Sequence, residues 1–257
     1  MSLRRINALS LDHPLIGETA DAGPTRSQLV FAGAMLFLTL IFLGLGTWQV
    51  QRLFWKLDLI ARVDARVTAS PVPAPSSAAW SGINAENDEY RRVIATGTFR
   101  HDAETPVQAV TDLGPGFWIL TPLEQADGTT ILINRGFVPA ARRDPAARAD
   151  GEIEGPVRIT GLLRMSEPDG AFLRSNDPAD GRWYSRDVAA IATTKGIEKA
   201  APYFIDADAT PIPGGLPVGG LTVIRFRNSH LVYAATWYLL AAMSAAAAYA
   251  IQRRRLA

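Results

Sequence analysis

Two long stretches of this chain carry no charge at all. Leu29–Trp48 (LVFAGAMLFLTLIFLGLGTW) runs 20 residues and Leu231–Ile251 (LVYAATWYLLAAMSAAAAYAI) runs 21. A helix rises about 1.5 Å per residue, so about 20 residues cross a hydrocarbon core of about 30 Å. Both stretches meet that length, and the buried helices of soluble domains seldom run so far without one charge. All 26 basic and 25 acidic residues lie outside them. The rest of the chain is then about 24% charged, as in a water-facing domain. This distribution argues against a wholly soluble enzyme and against a multi-span transporter. It predicts a membrane protein in which two transmembrane α-helices flank a mainly antiparallel β (α+β) extramembrane domain.

The first stretch is longer than the roughly 7–15-residue apolar core of a signal peptide. It is followed by QVQRLFWK (49–56) instead of a small-residue cleavage site, so an uncleaved anchor is expected. Residues 1–28 hold Arg4, Arg5 and Arg26 but also Asp12, Glu18 and Asp21, and acids are avoided in mitochondrial presequences. Basic residues flank the spans evenly. Those three and Arg253, Arg254 and Arg255 sit on the tails, against Arg52, Lys56, Arg62, Arg66, Arg225 and Arg227 on the domain side. Long loops translocate largely regardless of charge, so the short tails decide, and they are placed in the cytoplasm. Trp48, Tyr233, Trp237 and Tyr238 lie toward the domain-side ends, where interfacial aromatics belong. The reading is a cytoplasmic tail (1–28), a first span (29–48), an amphipathic stalk and Pro-rich linker (49–79), a β-rich periplasmic domain (80–229), a second span (230–251) and a basic cytoplasmic tail (252–257).

Leu53, Leu57, Ile60, Val63 and Val67 recur at helical spacing between charged residues, which makes the stalk an amphipathic helix. Pro71, Pro73 and Pro75 end it in an extended linker. Strands are predicted at 92–99, 105–110, 116–123, 129–138, 157–164, 202–206 and 221–226. Ala126-Asp127-Gly128 is the hairpin turn between the third and fourth, because Asp-Gly supplies the positive φ that a tight turn needs. Asp187 caps a short helix that ends near Lys195 at Gly196. Seven strands at short spacing predict one antiparallel sheet or small barrel with a minor helix.

Most chemistry is missing from the sequence. There is no Cys, which removes disulfides, thiolate metal sites and thiol redox work. Net charge is +1, without the basic footprint of a nucleic-acid binder, so no nucleic-acid partner is expected. No nucleophile elbow or phosphate loop is found. The run GGLPVGG (214–220) lacks a following Lys and reads as a turn, and Gly44 and Gly46 read as a close helix contact. Asp206 and Asp208 read as a solvated acidic loop, and Arg142, Arg143 and Arg148 as a solvated face. The three histidines, His13, His101 and His230, are far apart in sequence, so a multi-His metal site is not expected.

One constellation stands out. His230 opens the second span, with Tyr233 and Trp237 at +3 and +7 on the same face and Trp237 about 10 Å deeper. Ala241, Ser244 and Ala248 continue that face with small side chains. An imidazole beside aromatic rings at a membrane boundary is able to ligate a haem iron. The simpler reading is a set of interfacial anchors above an Ala-rich helix–helix contact.

The chain resembles the Surfeit locus protein 1 family of cytochrome c oxidase assembly factors. The resemblance rests on GTWQVQR (46–52), WKLDLI (55–60), YRRVIATGTF (90–99), INRGFVP (133–139), NDP (176–178), RWYSRD (182–187), PYFIDA (202–207) and RNSHLVYAATWY (227–238), in this order. It implies a non-enzymatic factor that transiently binds haem a and assists its insertion into cytochrome c oxidase subunit I. Partners would be that subunit, haem a synthase and the lipid bilayer. The alternative is a scaffold that holds oxidase subunits and binds no haem, and a third reading is a membrane-anchored enzyme of the outer face. The resemblance makes His230 the expected ligand of the haem iron, with Tyr233 and Trp237 as pocket walls. Arg135 either stabilises a hairpin, paired to a carboxylate, or neutralises a haem propionate. A bacterial member in the inner membrane is expected.

Overall fold

The computed structural model describes residues 25–168, 170, 173–224, 226 and 228–253. Nearly all of the first tail, Arg225, Arg227, Arg254 and Arg255 lie outside the described residues.

The chain divides into two compact units, one of residues up to Trp55 plus those from Asn228 on, the other Lys56–Arg227. The first unit is a helix pair. Helix α1 (Arg26–Thr68) runs unbroken through the first apolar stretch and the stalk. It stops just short of Pro71, because a residue before proline is pushed out of helical geometry. Helix α4 (His230–Arg253) carries the second apolar stretch. Both are long and apolar enough to cross a membrane, and few of the residues in their apolar stretches are buried.

In the second unit, Val63 is the stalk residue that is fully buried, while Leu57 is exposed. Arg66 ties the end of α1 down by donating to the carbonyls of Glu86 (2.5 Å) and Glu89 (3.3 Å), beside the helical turn α2 (Ala85–Asp88). The Pro-rich linker is not free. Val72–Pro73 forms a short strand, β1, parallel to Val93–Ile94. Proline tolerates such an edge position, where its missing N–H faces outward.

Strands β2 (Arg92–Phe99), β3 (Thr105–Thr111), β4 (Gly114–Glu124), β5 (Thr130–Pro139), β6 (Pro156–Met165) and β7 (Ala200–Ala207) complete a sheet of order β1-β2-β6-β7-β5-β4-β3. Thr98 and Phe99 also pair with Glu124 and Leu123, so β2, β6, β7, β5 and β4 close into a small barrel. Pairing is antiparallel except at β1–β2 and β5–β7. Alternation sorts the two cores. Ile131 and Ile133 of β5, with Tyr203 and Ile205 of β7, fill the barrel. Leu132 and Phe204 point the other way, onto Val188 and Ile191 of helix α3 (Val188–Thr194). Asp187 caps α3 by accepting from the Ala190 N–H at 3.1 Å. The Asp127-Gly128 turn also forms as predicted, with Gly128 at φ +77°.

Three sequence expectations are corrected here. Leu221–Ile224 forms no strand: β4 and β7 already take both edges of β5, and this stretch follows a single bridge, Phe137 to Val218. Arg148 does not lie on a solvated face. It is 6% exposed and forms a bidentate pair with buried Glu104, while Arg142 and Arg143 stay exposed. Asp206 is not in a solvated loop but 3% exposed on β7.

Candidate functional site

The helix pair places His230 at the first turn of α4. The Asn228 side chain accepts from the His230 backbone N–H at 3.4 Å, covering one donor that the helix start leaves unpaired. The imidazole Nδ1 lies 2.7 Å from Oε1 of Gln49 on α1. An amide oxygen only accepts, so Nδ1 is the donor here, and in the neutral ring Nε2 keeps its lone pair. This hydrogen bond fixes the orientation of the ring, as the carbonyl or carboxylate partners of metal-bound histidines do.

Further along, Trp237 stacks on Phe42 at 5.7 Å and 23°, and the Tyr238 hydroxyl lies 3.2 Å from Thr47 Oγ1. Gly46 is buried beneath Tyr238, whose ring would lie 2.9 Å from an added Cβ. The close helix contact expected at Gly44 and Gly46 is therefore found at Gly46 but not at Gly44, which is exposed and where an added Cβ would meet nothing. Ala234, Ala241, Ser244 and Ala248 are all buried. They continue the face that His230 and Trp237 turn toward α1, so the small-residue stripe is a helix–helix contact. Tyr233 lies off that face and is 53% exposed. The structure thus brings His230 and Trp237 together with α1 and leaves Tyr233 on the open side. Gln49 was missed from the sequence, although it stands in the same GTWQVQR segment as Gly46.

The sheet unit has its own polar centre. Asp206 Oδ1 accepts from Asn134 Nδ2 (2.7 Å) and Arg186 Nη1 (3.1 Å), and Oδ2 from Arg164 Nη1 (2.8 Å) and Thr222 Oγ1 (2.9 Å). Glu89 and Glu167 take the remaining forks of the two guanidiniums, at 2.8 Å from Arg164 Nε and 3.0 Å from Arg186 Nε. Asp206 and the Glu89 carboxylate drive the Arg164 pKa up, against the opposing effect of burial. Asn134, Arg164, Arg186, Asp206 and Thr222 line a cleft of about 720 Å³ together with the apolar Trp118 and Val223. Every lone-pair direction of Asp206 is committed, so the carboxylate holds the cleft together and is not poised to move a proton. Asn134, Arg186 and Asp206 come from three segments far apart in the chain, INRGFVP (133–139), RWYSRD (182–187) and PYFIDA (202–207). Nothing in their spacing signals that they meet.

Arg135 is 2% exposed on β5. Its guanidinium donates to the Gly151 carbonyl and reaches His101 Nδ1 at 3.5 Å, and it lies over the Phe99 ring at 5.1 Å. Burial pulls its pKa down, with Glu104 opposing from a distance. The carboxylate partner expected for it is not found among the described residues, since no acid lies within ion-pair distance. Its neighbour Gly136 has φ +131°, and a side chain there would run into the Val218 carbonyl. No cluster of three or more metal-ligating side chains occurs among the described residues. That bears on a caged ion; a porphyrin iron needs only one or two axial side chains.

A family model described as the SURF1 family matches residues 36–242. The chain is 40% identical to "Surfeit locus protein 1" of Homo sapiens over 243 residues, covering 87% of this chain and 78% of the relative. It is 39% identical to the protein of the same name from Rattus norvegicus, covering 90% and 79%. A "SURF1-like protein" of Monosiga brevicollis is 40% identical, covering 83% and 84%.

Proposed function

The chain belongs to the SURF1 family, and from that premise we propose that it is a non-catalytic assembly factor of haem–copper cytochrome c oxidase that holds haem a in transit. The observation that carries the reading is the His230–Gln49 pair. Among the described residues it leaves Nε2 of a half-buried imidazole without a partner, at one end of a helix pair whose outer faces are apolar. The cargo is flat, apolar and redox-active, and water or bulk lipid is a poor place to keep it. One protein ligand suits a carrier, because the grip must be firm enough to capture and loose enough to release. Tyr233, open and one turn along, is the wall available to a macrocycle; Trp237, stacked on Phe42, closes the site from below.

In this reading the two apolar helices are membrane spans, with both tails cytoplasmic and the sheet domain periplasmic in a bacterial inner membrane. Oxidase subunit I would receive the cargo and haem a synthase would supply it. Protein purified from cells that co-express the haem a biosynthetic enzymes is expected to show a Soret band that His230→Ala abolishes. A colourless wild-type protein that still co-purifies with oxidase subunits would replace this function with that of a scaffold. The scaffold reading draws on Val110, Leu113 and Val223, apolar side chains that stand exposed on the sheet domain.

A further inference from the structure

A second cavity opens at one end of the barrel. It has a volume of about 230 Å³ and is walled by Phe99, Ile133, Ile153, Val157, Ile159 and Ile212, with Arg135 set into it. The mouth of a small barrel is a usual place for a ligand pocket, and such pockets combine apolar walls with a few aimed polar groups. Here the aimed group is the Arg135 guanidinium. Among the described residues two of its five N–H donors are used, by Gly151 O and His101 Nδ1. His101 is itself oriented, since its Nε2 lies 3.0 Å from the Ile153 carbonyl and donates to it, which leaves Nδ1 to accept.

A buried cation normally has a carboxylate in contact, because an isolated charge is costly to desolvate. The other buried arginine, Arg148, obeys this, clamped by Glu104, and the half-buried Arg164 and Arg186 do too, held by Asp206 together with Glu89 and Glu167. Arg135 has no such partner among the described residues. Two other charges line the cavity, Arg158 and Asp208. Asp208 is occupied by the Thr210 N–H (3.1 Å) and hydroxyl (2.5 Å). Along the cavity lining two guanidiniums therefore meet one carboxylate, while Glu104, already paired to Arg148, and Glu152 act on Arg135 from outside the lining.

We propose that this barrel-mouth cavity is a binding site for a carboxylate carried on a narrow apolar body, with the carboxylate on Arg135 and the body among the Ile and Val side chains. At roughly 30 Å³ per water-sized group, the volume takes about eight such groups, the size of a six-carbon acid. A free monocarboxylate fits whole; of a porphyrin, only a propionate arm would enter. The site does not depend on the haem assignment, because none of its residues belongs to the helix pair.

The test is calorimetric titration of the full chain in nanodiscs, with empty nanodiscs subtracted, using hexanoate, hexan-1-ol and hexylammonium at neutral pH. Hexanoate is expected to bind at least tenfold more tightly than hexanol, with hexylammonium not binding. Arg135→Lys should retain a preference for the acid and Arg135→Gln should lose it. Equal affinity of the wild type for acid and alcohol, or no binding of either, overturns the proposal without recourse to a variant. Haemin added to the hexanoate complex identifies the source. Displacement means that a propionate uses the site, and simultaneous binding means that a free acid does.

Discussion

Replacing Asp206 by Asn tests whether the polar centre of the sheet domain is a structural clamp. The carboxylate accepts four hydrogen bonds, two of them from guanidiniums at 2.8 and 3.1 Å. An amide of the same shape loses the charge and turns an NH2 group toward donors. Breaking a buried ion pair by removing one partner costs about 3–5 kcal/mol. The lower end applies, because Arg164 keeps Glu89 and Arg186 keeps Glu167, with about one-seventh of each arginine side chain exposed. A loss of about 3 kcal/mol in a domain of this size lowers Tm by roughly 6–12 °C. The assay is thermal unfolding of the full chain in nanodiscs, followed by tryptophan fluorescence. Asp208→Asn is the matched control. That carboxylate only closes a local turn with Thr210 and should cost no more than about 1 kcal/mol. If the two substitutions cost the same, or Asp206→Asn costs less than about 1 kcal/mol, the clamp reasoning is wrong.

Gly136→Ala should cost about 3 kcal/mol in the same assay, from backbone strain and from the collision with Val218. Gly114→Ala, which has φ +97° but open space around it, should cost clearly less. Tyr203 is buried in the barrel and donates to the Pro75 carbonyl at 2.8 Å, and burial pushes its phenol pKa up. A raised folded-state pKa stabilises the fold fully below the unfolded value of about 10 and loses that contribution as pH climbs toward the folded one. Urea titrations between pH 7 and 11 should therefore show Tyr203→Phe about 1 kcal/mol less stable at neutral pH, with a flatter alkaline decline than the wild type.

Much of the sheet was legible because alternation, turn residues and a cap each signal locally. The Asp127-Gly128 hairpin and the Asp187 cap are local features, and the structure has both. Leu221–Phe226 alternates just as well, yet strand formation needs a free edge, and edge availability is a property of the finished sheet. Asp206 was misread for the same kind of reason. At the end of a strand an Asp looks like a turn residue, and only the parallel register that sets it beside Asn134 explains its burial. In the helix pair, positions three and four beyond His230 are equivalent by spacing. It is the placement of α1 that chooses Ala234 over Tyr233 for the buried face. Gln49 meets His230 across 181 residues, a distance that no periodicity reports.

The claim that carries most weight is that Nε2 of His230 is the nitrogen presented to iron. Resonance Raman of the ferrous haem a complex reads an iron–histidine stretching mode directly. The account predicts this mode in the wild type, its loss in His230→Ala, and its displacement in Gln49→Leu, which removes the acceptor of the Nδ1 proton. A mode that persists in His230→Ala, or does not move in Gln49→Leu, would contradict it.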